Sequence, residues 1–417
     1  MKRLLSLVGT LVLSAGLAGN ALADLTVAVP NGSEGDGLRA AAADYSNLKG
    51  VKIEIVQAPY SNLFERAATA ASTRSGVFDI VLMDDPWIPF FAENGFLVEL
   101  GPFFKGIGTD GPDNDFLSKS LALCRNPYNT GPYICLPYVG NAQLFFYDPG
   151  QYASVGFPDG PRTWDDVLTA STELTGDGRS RKYGYTMRAA EGNPVVADFM
   201  PIFWSFGATL FDADRKVSLQ TPQALQAVKM FLALAKVAPP GVESFGADEV
   251  GTAIAQGSAY SAINWPNWVP TFEDPAQSRV VGKIANVKMP DGTAAGSSEI
   301  GHWTMGISVD SKNKQEAFDF MVWATSAEQV KISALRGNPP VRFSVFTDTE
   351  LTSQEQFRHY STLMQAINFS TPRPRHPQWP EIENAFGREL SAAVAGRISA
   401  EEALDRSQKA IEAIIAR

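Results

Sequence analysis

The chain has 417 residues, of which 45% are hydrophobic and 19% charged, and its net charge is −10. That length suits two domains or one large discontinuous pair. The acidic balance argues against partners held by charge, such as nucleic acid or an anionic membrane surface.

Met1-Lys2-Arg3 is a short positive start, Leu4 to Ala18 is apolar apart from Ser and Thr, and Ala21-Leu22-Ala23 is an A-x-A cleavage signal. This three-part pattern is that of a secretory signal peptide removed after Ala23. The alternative, a transmembrane anchor, needs about 20 apolar residues, and this stretch is short of that. No Cys follows the cleavage signal to carry a lipid. Without the first 23 residues the chain has 394, and loss of Lys2 and Arg3 takes its charge to −12. A chain outside the cytoplasm lies away from ATP and reduced nicotinamide, so no cofactor is expected.

Strand and helix signals then alternate. Leu25 to Val29 reads as a strand, and Asn31 to Gly37 as a Gly-rich polar loop, with a phosphate cradle as its alternative. A helix is expected near Leu38 to Tyr45, a half-exposed strand at Val51 to Val56 and a helix at Asn62 to Arg74. Phe78 to Met83 reads as a buried strand ended by Asp84-Asp85-Pro86, followed by a helix at Trp87 to Gly95. Cys124 and Cys135 flank a turn-rich loop, which in an oxidising compartment reads as a structural disulfide. His302, His359 and His376 lack ligand spacing to them, so no metal site is expected.

Strands are expected at 141–147, 259–263 and 303–309. Helices are expected from the N-cap Thr163, over 224–235 and 311–325, and over 380–417 apart from Gly396. The Gly/Ser/Ala-rich stretch 292–301 reads as a linker or hinge. This order predicts an α/β fold with a mostly parallel sheet.

No nucleophile elbow, zinc-protease helix or P-loop motif occurs. Asp84-Asp85 is the most enzyme-like pair, but adjacent carboxylates rarely flank one scissile bond. A ligand-gripping role at a strand C-terminus suits them better. Trp87, Trp204, Trp265, Trp268 and Trp303 fall at strand ends or in loops, where an aromatic face suits the C–H face of a sugar ring. Core packing is the alternative for each. Trp265 beside Asn264, and Trp303 beside His302, favour ligand contact.

Several stretches together resemble the extracellular sugar-binding proteins of bacterial ABC importers, in the group with maltose- and trehalose-binding proteins. They are FDIVLMDDPWIPFFAENGFLVEL (78–100), LPYVGNAQLFFYDPGQYASVGFPDGPRTWDDVL (136–168), GHWTMGISVDSKNKQEAFDFMVWATSAE (301–328), and NPPVRFSVF with TPRPRHPQWPEIENAF (338–346 and 371–386). The resemblance implies two α/β lobes joined by a hinge, with ligand in the cleft between them. Lobe one would contain 24–139 and 296–346, and lobe two 140–295 and 347–417.

Carried over residue by residue, the resemblance places Asp84 and Asp85 at the site. It adds Asn141 where relatives often have Asp, Trp265 and Trp303 as aromatic platforms, and Arg373 of the R-P motif. Glu34 and Tyr60 match by position only, and His302 adjoins Trp303. Arg342 could add a second guanidinium and, with Arg373, accept an anionic substituent; salt bridges are the alternative. The implied partners are a small carbohydrate and the permease subunits of an ABC transporter, for a monomer in the periplasm that does no chemistry. A secreted carbohydrate-active enzyme, and a transporter for a polyol or glycerol phosphate ester, are the other readings.

Overall fold

The computed structural model describes residues 25–176 and 181–417. The leader and its cleavage site lie outside the described residues. Among the described residues eight strands form two sheets. They are β1 (Leu25–Pro30), β2 (Ile53–Ala58), β3 (Ile80–Asp84), β4 (Leu136–Val139), β5 (Leu144–Tyr147), β6 (Ser261–Asn264), β7 (Ala285–Val287) and β8 (Trp303–Ile307).

The first sheet runs β2–β1–β3–β8–β4 and the second β6–β5–β7. β1 is parallel to β2 and β3, as helical crossovers require. The expectation of a mostly parallel sheet fails beyond these pairs. β8 returns from the second sheet and enters antiparallel between β3 and β4. β5 is antiparallel to both its neighbours. Alternating strands and helices in sequence did not show that the chain leaves one sheet for the other and comes back.

Apolar strand residues build the cores. Val27, Val29, Ile80, Leu82, Met305 and Ile307 pack with Leu38 and Phe318 around the first sheet. Phe145 and Ile263 pack with Phe199, Phe203, Phe231, Phe386 and Leu404 on one side of the second. A third core joins Leu144, Phe146, Ile254 and Phe272 to Val330, Val341, Phe346 and Leu363. It draws on residues from both expected lobes, since Val330, Val341 and Phe346 pack with the second sheet.

Local signals explain several boundaries. Thr163 Oγ1 accepts from Asp166 N, and Asp166 Oδ2 accepts from Thr163 N, a capping box that starts the helix Trp164–Leu174. Such a cap contributes about 1 kcal/mol. The C-terminal region is two helices, Trp379–Val394 and Ala400–Ile415, parted near Gly396 at φ +69°.

The Gly-rich stretch 31–37 is not a loop: a helix runs Ser33–Lys49. Its glycines answer close approach. A Cβ on Gly35 would lie 1.9 Å from the Pro30 carbonyl oxygen, and one on Gly37 would lie 2.2 Å from Asn338 Nδ2.

Segments 141–143 and 298–301 pass between the sheets, and 371–373 pairs with the second of them. Gly301 N donates to Asn141 O at 2.9 Å, Gln143 N to Glu299 O at 3.0 Å, and Thr371 N to Ser298 O at 2.9 Å. The expected hinge at 292–301 therefore narrows to its second half. Residues 291–296 pack on the second body, where Ala294 N donates to Ser205 O. Cys124 and Cys135 are joined, with their Cα atoms 4.9 Å apart. Among the described residues no helix is long and apolar enough to cross a membrane.

Candidate ligand-binding site

β3 and β6 end alike. Asp84-Asp85-Pro86-Trp87 and Asn264-Trp265-Pro266-Asn267-Trp268 each turn from a strand into a short 3₁₀ helix with proline in its first turn. Proline fits there because the N–H it lacks has no helical partner. Asn264 Oδ1 accepts from Trp265 N and its Nδ2 donates to Ala247 O, which fixes the second turn. Both turns present indoles to one cleft of about 820 Å³. One wall carries Ser33, Glu34, Tyr60, Asp84, Trp87 and Trp303. The other carries Arg188, Trp265, Asn267, Trp268 and Glu383, and the paired segments between them supply Asn141, Gly301 and Arg373.

Seven of the ten expected residues thus share the cleft: Glu34, Tyr60, Asp84, Asn141, Trp265, Trp303 and Arg373. Asp84 grips other protein groups. Its Oδ2 accepts from Tyr60 OH at 2.7 Å and its Oδ1 from Arg373 Nη2 at 2.6 Å. Trp303 is 8% exposed and packs edge-on against Trp87 and Tyr60. Trp265 and Trp268 are only partly buried, so more of their surface faces the cleft.

Three expected residues lie apart from the cleft lining. Asp85 is fully buried beneath Arg373, where its Oδ1 accepts from Arg373 Nη2 and from His302 N, both at 3.1 Å. His302 is buried between Ser120 Oγ at 2.7 Å and the Asn141 carbonyl at 3.0 Å. Burial holds its pKa down to about 4, so the ring is neutral. Arg342 sits elsewhere: its Nη1 is 2.7 Å from Asp113 and 3.3 Å from Asp115, its Nε donates to Thr325 O, and its guanidinium lies over Phe116. It pairs with its own neighbours, and the two-guanidinium anion site has lost one member.

Sequence reasoning missed Arg188, Glu383 and Asn267. Arg188 Nε is 2.6 Å from Asp198 Oδ1, both side chains are buried, and the guanidinium lies over Trp265 at 5.2 Å from the ring centre. Nothing in RAAEGNP announces this, since Asp198 is ten residues on and inside a helix. Glu383 Oε1 accepts from Asn193 Nδ2 at 2.9 Å. Burial raises its pKa to about 7 against the pull of Arg373.

Carboxylates outnumber guanidinium groups here. Glu34, Glu65, Asp84, Glu191, Asp248 and Glu383 line the cleft, against Arg188 and Arg373. Behind them, burial raises Glu299 to about 8 and Asp85 to about 6, although Arg373 opposes both. Against its own burial, Arg373 is held charged by Asp84, Glu299 and Asp85. Each cleft guanidinium already faces a carboxylate, Arg188 with Asp198 and Arg373 with Asp84, although Arg188 Nη2 has no hydrogen-bond partner. The first turn of helix Ser33–Lys49 also faces the cleft, but Glu34 occupies it with negative charge, which is wrong for a phosphate cradle. Among the described residues no group of three or more His, Cys, Asp or Glu could hold a metal ion.

Two bodies flanking a cleft, joined by paired segments of chain, define a periplasmic binding protein fold. The family model for the bacterial extracellular solute-binding proteins matches residues 30–331, and the chain belongs to that family. It is similar to a Sinorhizobium fredii protein described as a probable amino-acid ABC transporter periplasmic-binding protein, 25% identical over 93% of this chain and 88% of that one. It is also similar to the mannitol-binding protein of Pseudomonas aeruginosa, 23% identical over 83% and 82% of the two chains. A solved structure of an ABC transporter solute-binding protein from Agrobacterium radiobacter K84, in complex with ribitol, superposes with a TM-score of 0.86 at 26% identity. The match covers 92% of this chain and 97% of the other. The chain is thus a solute-binding protein of the ABC-transporter kind, and its family implies a place outside the cytoplasmic membrane.

Proposed function

We propose that the cleft binds a polyol or small sugar and that the chain, exported and cut after Ala23, delivers it to a permease as a monomer without altering it. The observation that carries this reading is the cleft's lining. Part-exposed Trp265 and Trp268 offer faces for C–H groups, while buried amides, carboxylates and Arg373 offer hydrogen bonds to hydroxyls. The ribitol complex of the 26% identical protein and the mannitol-binding relative support it. An amino acid, suggested by the Sinorhizobium relative's description, would need a guanidinium for its carboxylate. Arg188 and Arg373 are each already paired.

In this reading the lobes follow the two sheets. Residues 24–139 and 296–326 go with the first, and 140–295 and 347–417 with the second. The stretch 327–346, expected in lobe one, packs into the third core and goes with lobe two. Ligand draws the lobes together about the paired segments 141–143, 298–301 and 371–373, because contacts to both walls exist only when the cleft is closed.

A thermal-shift panel of polyols, mono- and disaccharides, glycerol phosphates and amino acids tests the reading. A bound ligand at 100 times its dissociation constant adds about 2.7 kcal/mol. A shift with polyols or sugars is expected. A shift with amino acids or phosphate esters alone would replace the reading.

A further inference from the structure

Glu34 differs from the buried carboxylates in and behind the cleft that contact a guanidinium. Asp84 and Asp85 contact Arg373, and Asp198 contacts Arg188. Glu34 is 8% exposed, and its side-chain partners Ser33, Asn141 and Asn267 are uncharged. Its Oε2 accepts from Ser33 Oγ at 3.2 Å. Its Oε1 lies 3.5 Å from Asn141 Nδ2 and 3.4 Å from Asn267 Nδ2, one amide on a crossing segment and the other on the opposite wall. These are long contacts that leave the carboxylate weakly satisfied. Both amides turn an N–H toward it, and Asn267 Nδ2 also donates to Ser33 Oγ at 3.2 Å, so their oxygens remain. Asn141 Oδ1 and Asn267 Oδ1 are buried and accept no hydrogen bond, and Asn141 itself is 3% exposed. One spot of the cleft therefore gathers a carboxylate without a cation and two unused acceptor oxygens. A neutral hydroxyl donates one proton there. A primary ammonium donates three and brings the missing charge.

We propose that Glu34, with Asn141 Oδ1 and Asn267 Oδ1, forms an ammonium subsite, and that the ligand is an amino-substituted polyol or sugar. The inference rests on the reading of the cleft as a polyol or sugar site. It narrows the ligand to a class in which one hydroxyl is replaced by a protonated amine. Because Glu34 and Asn267 come from opposite walls, the ammonium would also bridge the closed cleft.

Matched pairs test it: D-glucitol with 1-amino-1-deoxy-D-glucitol, D-glucose with D-glucosamine, and D-galactose with D-galactosamine. Each is titrated calorimetrically into the mature protein and into Glu34→Gln. In at least one pair the amine is expected to bind about tenfold or more tightly than its hydroxyl counterpart, as a charge-assisted bond in a buried site implies. Glu34→Gln should bring that ratio close to one. Asn267→Ala, on the other wall, should lower the same ratio and stands in should Glu34→Gln not fold. Hydroxyl members binding as well as their amines, or a preference that survives these substitutions, overturns the subsite. Binding of a neutral sugar or polyol with no amine binding also overturns it and leaves the cleft reading standing. Binding of no member of either kind overturns both.

Discussion

Arg373 Nη2 lies 2.6 Å from Asp84 Oδ1, which ties the segment 371–373 of the second body to the end of β3 in the first. The same carboxylate accepts from Tyr60 OH at 2.7 Å. Asp84 thereby sets the positions of two cleft groups at once. Asp84→Ala would leave a buried guanidinium short of its nearest counter-charge. Removing one partner of a buried pair costs about 3–5 kcal/mol. Chemical denaturation should show a loss of that order, and the folded fraction should bind ligand at least tenfold more weakly. Unchanged stability would show that Asp85 and Glu299 replace it fully.

The two platform tryptophans should separate. Trp303 is buried among Trp87 and Tyr60, so Trp303→Ala should cost about 3–5 kcal/mol of stability. Trp265 has more surface in the cleft, so Trp265→Ala should mainly weaken ligand, by about tenfold, with a smaller stability loss. Denaturation and calorimetry on both variants would reveal a reversed pattern.

Arg342→Ala should leave ligand affinity within error, because that side chain serves Asp113, Asp115 and Thr325 away from the cleft. Its lost bonds should lower stability by about 1–3 kcal/mol. An affinity change in a folded variant would place Arg342 in contact with the ligand after all.

Much of the fold could be read in the sequence because its signals are local. β-branched runs gave β1 and β3, Thr163 gave a helix start, and Gly/Ser content pointed to the crossing at 298–301. Seven cleft residues followed from the family resemblance, five of them by motif and Glu34 and Tyr60 by position only. What escaped depends on distant partners. That Arg342 faces Asp113, that Asp85 lies under Arg373, and that Arg188 is steered by Asp198 are facts of tertiary packing. The antiparallel entry of β8 likewise depends on where the chain returns from.

Stability should fall as pH rises from about 5 to 9. Burial raises Asp85 to about 6, Glu383 to about 7 and Glu299 to about 8, in each case against Arg373. Their folded pKa values lie above the unfolded ones, so the folded state holds more protons in this window and ∂ΔG/∂pH of unfolding is negative. The stabilisation is complete below the unfolded values and is lost through the folded ones. Melting temperature against pH should show the decline, and Glu299→Gln should flatten its upper part. A flat wild-type profile would mean that these groups ionise together with Arg373 at no cost.

The cysteines should carry no free thiol in the exported protein. Their bridge closes a short loop and contributes about 2–3 kcal/mol in the chain-entropy model. Thiol titration of denatured, unreduced protein should find none, and reduction should lower the melting temperature.

Isothermal titration of the mature protein with polyols and small sugars, amines included, tests the central claim most directly. The account predicts one site per chain for at least one of them. It predicts a dissociation constant in the micromolar range or below, near −8 kcal/mol or stronger, and weaker binding in Trp265→Ala. Flat heats across the whole set, with the protein folded and monomeric, would contradict it.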